Sequence, residues 1–476
     1  MARIYIGESD HKSLVRNESG KLVNALFLRQ PLTLCSTMRQ RQILLLAMLL
    51  LLTQCKVAEK PPVFEADDAH RWTMTLIETV MDDLFPPMIA SRVYTYPLIA
   101  AHETLAAGDR SLAAFGPALR DFGASPTPPI DGPLDYSLAA FIAWSDVATK
   151  LVFSEFKIQE FTEIELLRCE SMEASVRERS IAFGHAMSVH VIQWMLKDNY
   201  TETRTMSRFT IDPADSTWKQ TPPDYPNSLE PNWTLIRPMI LDSAGQIRVA
   251  DPAPYSIDPK SEFYTEALEV YQTGPGNSEK RDSIAWYWDD NPNHYINTGH
   301  NTTFTHKISP AGHWLCIAGT SCKKASKNFA QTIEIYALTA IAQFDGFIAC
   351  WEEKYRLNLV RPVTYIQSVI DPEWLPLIQT PPFPEHPSGH SVISAASATV
   401  LSHFFGEEFV VTDSTEMRFG FPERTFVSFH EAATEAGMSR LYGGIHFRRA
   451  LTEGQKQGNA IGEFVLNRAL PTEVNP

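Results

Sequence analysis

Apolar residues recur at helical spacing along most of the chain. From Asp68 to Gly108 the run Trp72, Leu76, Val80, Leu84 is followed by Ile89, Val93, Leu98 and His102. A period of three to four residues predicts two helices, broken at Pro86-Pro87, where the rings cannot continue a helix. The same spacing predicts helices over Leu138–Phe153, Glu160–Leu196, Ser261–Tyr271 and Lys280–Trp288. It returns over Lys327–Lys354 (Ile333, Tyr336, Ile341, Phe344, Ile348, Trp351), Ser388–Phe405, Phe429–Tyr442 and about His446–Leu470. Asp198–Pro259 loses the period and is rich in Pro, Asp, Ser and Thr, yet Trp218, Trp233 and Leu235 within it call for burial. That segment is read as a long ordered excursion. Alternation of the strand type is scarce, so the fold class is all-α, a helical bundle.

The N-terminal pattern is of another kind. Met38-Arg39-Gln40-Arg41-Gln42 precedes ten apolar residues, Ile43 to Leu52, and then Thr53-Gln54-Cys55. A basic start and a short apolar core read as an export signal over 38–55, since a spanning helix needs about 20 residues. The ending resembles a bacterial lipoprotein box, with Cys55 as the lipid-modified residue, although Gln54 stands where a small residue is usual. The other reading is a cleaved signal with Cys55 a bystander. Residues 1–37 read as an extension ahead of the true start at Met38, and 56–476 as one helical domain with its site in 345–450. The expected location is the periplasm or cell envelope.

Composition narrows the function. The chain has 476 residues, 44% hydrophobic and 20% charged, as a globular protein has. A formal net charge of −15 excludes a general nucleic-acid binder, so any bound anion must be held by a local cluster of cations. Six cysteines are too few for a disulfide scaffold, and past Cys55 only a Cys316–Cys322 pairing suggests itself.

Three clusters carry candidate chemistry. Lys354 closes a long helix, and Pro362 turns Arg361 out of helical geometry, so both cations can face one point. Pro384-Glu385-His386-Pro387-Ser388-Gly389-His390 is a loop entering an apolar helix. Ser388 suits the N-cap, Gly389 admits close approach of a ligand, the helix start attracts an anion, and His390 can exchange protons. Ser439-Arg440 lies near the end of a helix opened by Ser428-Phe429-His430-Glu431 and closed by Gly443-Gly444, with His446 beyond as a ligand or nucleophile. Each alone also reads as ordinary surface charge, capping or packing. Together they supply three cations, helix-start amides and two imidazoles, a set suited to a tetrahedral oxyanion.

The pattern Lys354-x6-Arg361-Pro362, Pro387-Ser388-Gly389-His390, Ser439-Arg440-x5-His446 resembles the signature of the type 2 phosphatidic acid phosphatase and vanadium-dependent haloperoxidase superfamily. Ile89–Tyr94 with Ile99–Glu103, Ser309–Trp314, and Ile341–Lys354 look like its soluble bacterial haloperoxidase branch. The resemblance implies a vanadate cofactor with His446 bound to vanadium. Lys354, Arg361, Arg440, Ser388 and the Gly389 amide would hold its oxygens, and His390 would be the acid–base residue. It implies hydrogen peroxide, a halide (iodide or bromide before chloride) and a small organic acceptor as partners, and a homodimer. Trp351 and Phe383 would line a halide pocket or serve as core, and His386 would tune His390 or face solvent. His102 and His313 are read as satisfied structural histidines. The alternative on the same residues is an acid phosphatase with His446 as nucleophile. Such phosphatases often orient that histidine with a carboxylate, and Phe447-Arg448-Arg449-Ala450 offers none, Glu453 being the nearest downstream, so one would have to come from elsewhere in the fold. A second alternative is a phosphate-binding envelope lipoprotein without turnover.

Overall fold

Fourteen α-helices are present among the described residues, and most begin and end where proline, glycine and capping side chains predict. The computed structural model describes residues 64–470 apart from 293, 294, 299 and 305, together with 15–16 and 22–23. Residues 1–61 make up one unit, described at the antiparallel pair β1 (Val15–Arg16) and β2 (Leu22–Val23). The signal segment 38–55, Cys35 and Cys55 lie outside the described residues.

Residues 62–476 make up the second unit. Its first part holds α1 (Ala66–Asp82), α2 (Pro87–Ala106), α3 (Tyr136–Thr149), α4 (Glu155–Leu167), α5 (Ala174–Met195) and the single turn α6 (Tyr200–Thr203). Its second part holds α7 (Glu262–Thr273), α8 (Glu279–Tyr287), the pair β3 (Tyr295–Thr298) and β4 (Asn301–Phe304), α9 (Pro310–Lys324) and α10 (Phe329–Leu357). Then come α11 (Pro362–Val369), α12 (Gly389–Phe405), the pair β5 (Val411–Asp413) and β6 (Arg424–Phe426), α13 (Phe429–Tyr442) and α14 (Arg448–Ala469). The fold is all-α, and its strands are short two-stranded ribbons.

The 29-residue α10 is the axis of the unit, packing against α1, α2, α9, α12 and α14. It is long and apolar enough to cross a membrane, but its apolar window is almost wholly buried by these neighbours, as a core helix requires. Its Asp345 carboxylate accepts the backbone amides of Met239, Ile240 and Leu241 at 2.6–2.9 Å. That clamp ties the irregular 198–259 excursion to the core. Trp218 and Trp233 are fully buried as expected, whereas Leu235 is 50% exposed. Earlier in the excursion Trp218 donates its amide to Asn358 at the end of α10, and Leu229 donates to Pro382.

Several expectations change. The helix predicted over Glu160–Leu196 is two, α4 and α5. Arg168, in the break, bonds to Asp68 and Glu165 at 2.8 and 2.7 Å, an anchor a continuous helix would move away. Helix α9 went unpredicted, although Ser309 caps it by accepting the amide of Gly312 at 3.2 Å. Cys316 and Cys322 are free thiols on this one helix. The Ser428 hydroxyl caps α13 through the Glu431 amide, but the Glu431 carboxylate returns to Val427 instead of Ser428, so the box is incomplete.

Helices α12 and α14 approach through glycines at four-residue spacing. A Cβ on Gly454 would lie 2.8 Å from the Ser388 carbonyl oxygen, one on Gly462 2.7 Å from Thr399 Cβ, and one on Gly458 would strike the Val392 carbonyl. We predict that Gly458→Ala lowers the unfolding free energy by roughly 1–3 kcal/mol through this overpacking. Urea denaturation measures it; an unchanged midpoint would show that the backbones are not in contact there.

Candidate active site

Four sequence segments meet at the start of α12, and each is brought there by a local device. Ser388 caps α12, its hydroxyl accepting the Ser391 amide at 3.4 Å, while its own amide bonds to Ala450 at the start of α14 at 3.0 Å. Lys354, in the last turn of α10, donates to the carbonyls of Pro384 and Glu385 at 3.0 Å each and to that of Pro387. The ammonium is fully buried and serves as the frame of the 384–387 loop. Asn358, left-handed at φ 46°, ends α10, and Arg361 follows at the start of α11. The Arg361 guanidinium donates to the carbonyls of Phe383 (2.8 Å), Ile445 (2.9 Å) and Pro381 (3.3 Å) and lies 3.2 Å from His446 Nε2.

The fourth segment is the end of α13. Gly443 and Gly444, the latter at φ +78°, turn the chain so that Ile445 and His446 fold back beside Arg440. Arg440 donates to the Trp288 carbonyl and sits 3.7 Å from Asp289. His446 Nδ1 is 2.8 Å from Glu385 Oε1, which also accepts the Phe447 amide at 2.9 Å. A carboxylate only accepts, so Nδ1 carries the proton and the Nε2 lone pair accepts from Arg361 Nη1 at 3.2 Å. His390, in the first turn of α12, has Nε2 4.0 Å from Asp290.

A cavity of about 240 Å³ opens at this point. Gly389, His390, Arg440 and His446 form its polar floor, with Asp290 beside them in the lining; Trp351, Phe383 and several prolines form its walls. Lys354, Arg361 and Ser388 come to the same place but stand behind the lining, bound to backbone. All seven residues singled out in the sequence therefore converge, four on the cavity and three in its frame.

Burial dominates the electrostatics. It holds His446 well below the ordinary histidine range, with Arg361, Lys354 and Arg440 adding to the effect, so the imidazole is neutral. Burial does the same to His390, with Arg440 and His313 adding. Lys354 is brought down to about 7 by burial, and Arg361 to about 10. The Glu385 carboxyl is pushed up to about 7 by burial against the pull of Arg361 and Lys354. Cations without a full complement of counter-charge favour an incoming anion.

The residues fit a tetrahedral oxyanion such as vanadate. Arg440 Nε and His390 Nε2 are buried without a hydrogen-bond partner, and both residues line the cavity. A Cβ on Gly389 would meet only Trp351, at 3.7 Å, so the backbone is open to a ligand where the first amides of α12 have no intrahelical acceptor.

One open place is filled and two expectations are corrected. Glu385 is the carboxylate that serves His446; Glu453 instead accepts the Ala250 amide at 3.0 Å and pairs with Lys456. Glu385 lies inside the quoted loop, but nothing in the sequence says where its side chain goes. His386 is buried and bonds to the Ala250 carbonyl at 3.0 Å, so it neither faces solvent nor touches His390. His102 makes no hydrogen bond: it stacks on Phe115 with centroids 3.6 Å apart, 3.5 Å from the Glu103 carboxylate. His313, by contrast, is satisfied at both nitrogens. Trp351 and Phe383 pack at 4.9 Å and also face the cavity, so they are core and lining at once.

Comparisons with known proteins bear on the family and the fold. A family profile, the VCPO second helical-bundle domain, matches residues 334–472. A structure described as the first bacterial vanadium-dependent iodoperoxidase is 39% identical, with a TM-score of 0.82, covering 87% of this chain and 98% of that one. A holo-type bacterial vanadium-dependent chloroperoxidase shares the fold at 15% identity and a TM-score of 0.62, covering 81% of this chain and 93% of that one. No curated protein matches the chain.

Because Glu385 sets the tautomer of His446, Glu385→Gln should keep the fold but weaken orthovanadate binding by roughly 10–100-fold. Equilibrium dialysis checks this; wild-type affinity in the variant would remove the carboxylate from the account.

Proposed function

The chain belongs to the vanadium-dependent haloperoxidase family, and from that premise we propose that it oxidises iodide or bromide, ahead of chloride, with hydrogen peroxide. The reaction takes halide, hydrogen peroxide and one proton to hypohalous acid and water, and the acid then halogenates a small organic acceptor. The observation that carries the reading is the shared cavity. A neutral His446, its Nδ1 held by Glu385, faces it together with the partnerless nitrogens of Arg440 and His390.

Vanadate in the cavity would supply a Lewis-acid centre for peroxide activation. His446 Nε2 would be its one protein ligand. Arg440 and the Gly389 amide would bond its oxygens directly. Lys354, Arg361 and Ser388 would act from behind, by charge and by holding the loop rigid, as preorganised electrostatic stabilisation requires. His390 would take up and return the proton. The preference for iodide or bromide rests on the likeness to the iodoperoxidase and on the Trp351–Phe383 wall, where a weakly hydrated halide loses least on leaving water.

One observation favours a second reading. Glu385 supplies the orienting carboxylate that a phosphohistidine mechanism needs, so phosphomonoester hydrolysis through His446 stays in the comparison. The non-catalytic binder gives way, because the family is one of enzymes. Export on the Met38–Cys55 signal is also proposed; intact-protein mass after expression in a bacterial host tests the cleavage and lipidation at Cys55.

Purified protein loaded with orthovanadate should oxidise iodide and bromide in a peroxide-dependent way and hydrolyse little phosphate ester without vanadate. Hydrolysis with no halide oxidation would reverse the choice. His446→Ala should abolish vanadate retention, whereas His390→Ala should retain it and slow turnover by roughly 10²–10⁴-fold.

A further inference from the structure

Beside the cavity lies a buried cluster that the proposed chemistry does not use. His313, on α9, is fully buried. Its Nδ1 is 2.9 Å from Asp290 Oδ1 and its Nε2 2.8 Å from Asp413 Oδ2. Ionised carboxylates accept hydrogen bonds, so a ring bonded to one at each nitrogen must carry both protons. The two aspartates hold it well above the ordinary histidine range, even though burial alone would lower it. The atoms of Asp290, His313 and Glu416 lie close enough to suggest a metal, but both ring nitrogens are spent on carboxylates, leaving no lone pair for an ion.

The cluster touches the active site at two points. The other oxygen of Asp290, Oδ2, is 4.0 Å from His390 Nε2. The indole of Trp288 stacks on the His313 ring, with centroids 4.6 Å apart and planes within 17°. The carbonyl of the same Trp288 accepts from Arg440 and bonds to His390. We infer that His313 is a positioning residue: as an imidazolium clamped between Asp290 and Asp413 and stacked on Trp288, it fixes Asp290 against His390 and Trp288 against Arg440, and so sets the proton exchange at the cavity. The inference rests on the haloperoxidase reading above, in which each turnover consumes one proton.

The charges around His313 are consistent with that role. Asp290 reaches it from the loop after α8 and Asp413 from β5, where Asp413 also accepts the Tyr287 hydroxyl at 2.8 Å. Glu416, in the turn after β5, stands 3.8 Å away; its carboxyl is pushed up to about 8 by burial and by Asp290, so it is protonated at neutral pH. Asp289 is paired with Lys307 at 2.6 Å and lies beside Arg440, and Arg424 stacks over Tyr287. Cys316, one turn along α9, has its thiol raised to about 12 by burial and stays uncharged. With Glu416 neutral, His313 is the cation that balances Asp290 and Asp413.

Removing the His313 charge takes away one of the cations that hold His390 below the ordinary histidine range. His390, still facing Asp290, then holds its proton to higher pH. The test is the pH profile of iodide oxidation by the vanadate-loaded protein, for wild type, His313→Gln and Asp413→Asn. In His313→Gln the alkaline limb of the profile should move to higher pH by about one unit, with vanadate affinity within roughly 3-fold of wild type. That is a tenfold change in proton occupancy at fixed pH. Asp413→Asn, which keeps an acceptor for His313 Nε2, should move it the same way by less; it carries the test if His313→Gln does not fold. A folded, vanadate-binding variant whose rate falls equally at every pH, or whose profile matches wild type, overturns the inference. A wild-type protein that oxidises no halide would instead overturn the reading beneath it.

Discussion

One carboxylate holds the site together. Glu385 sits on the loop that opens α12, and its Oε1 accepts both His446 Nδ1 and the Phe447 amide, which belong to the turn after α13. Two segments about sixty residues apart are thereby pinned at one atom. Lys354 makes that atom available: by donating to three loop carbonyls it fixes the path of 384–387, and with it the direction of Glu385. Without the lysine the carboxylate has no defined position, and without the carboxylate His446 has no defined tautomer. A frame of charge-assisted bonds, and not the lining itself, is what gives the cavity its chemistry.

The same frame is electrostatically costly. Lys354, Arg361 and Arg440 are buried, and desolvation lowers the proton affinity of each. Their backbone partners neutralise none of that charge; Glu385, Asp289 and Asp290 do so in part. The unmet demand is concentrated at Arg440 Nε and His390 Nε2, the atoms left without partners on the cavity floor. Folding thus holds donors in place before the ligand arrives, which is how a preorganised site differs from a surface cluster that must rearrange. Core packing offsets the cost, above all the glycine-mediated contact of α12 and α14, which lets Ser388 bond to Ala450.

How far this was legible in the sequence follows from the range of each interaction. Pro86-Pro87, Ser388 and Gly443-Gly444 act within a turn of themselves, and the helix ends they predict are where the chain places them. The three motifs announced the convergence of seven residues because each motif's chemistry is local. What was not legible depends on distant partners. The break between α4 and α5 depends on Arg168 meeting Asp68, 100 residues away. The course of the excursion depends on Asp345 gathering amides 104 to 106 residues away. Lys354 was expected to face the ligand, but its donors find carbonyls first. The sequence offered no carboxylate directly after His446, whereas tertiary structure supplies Glu385 from another segment.

Proton supply follows from the same principle. A histidine buried like His390, surrounded by cations, would alone hold a proton poorly, and a reaction that consumes one proton per turnover needs that proton held nearby. Asp290 is the one carboxylate that forms a close pair with His390 among the described residues, and it lines the cavity itself. His313 bonds to the other oxygen of Asp290 and places a positive charge on its far side, out of contact with the cavity. That cation offsets the aspartate, so the lining keeps its cationic character towards an oxyanion while Asp290 still faces His390. Cationic binding and acid–base exchange make opposite demands on one small volume, and an aspartate in the lining backed by a cation behind it meets both.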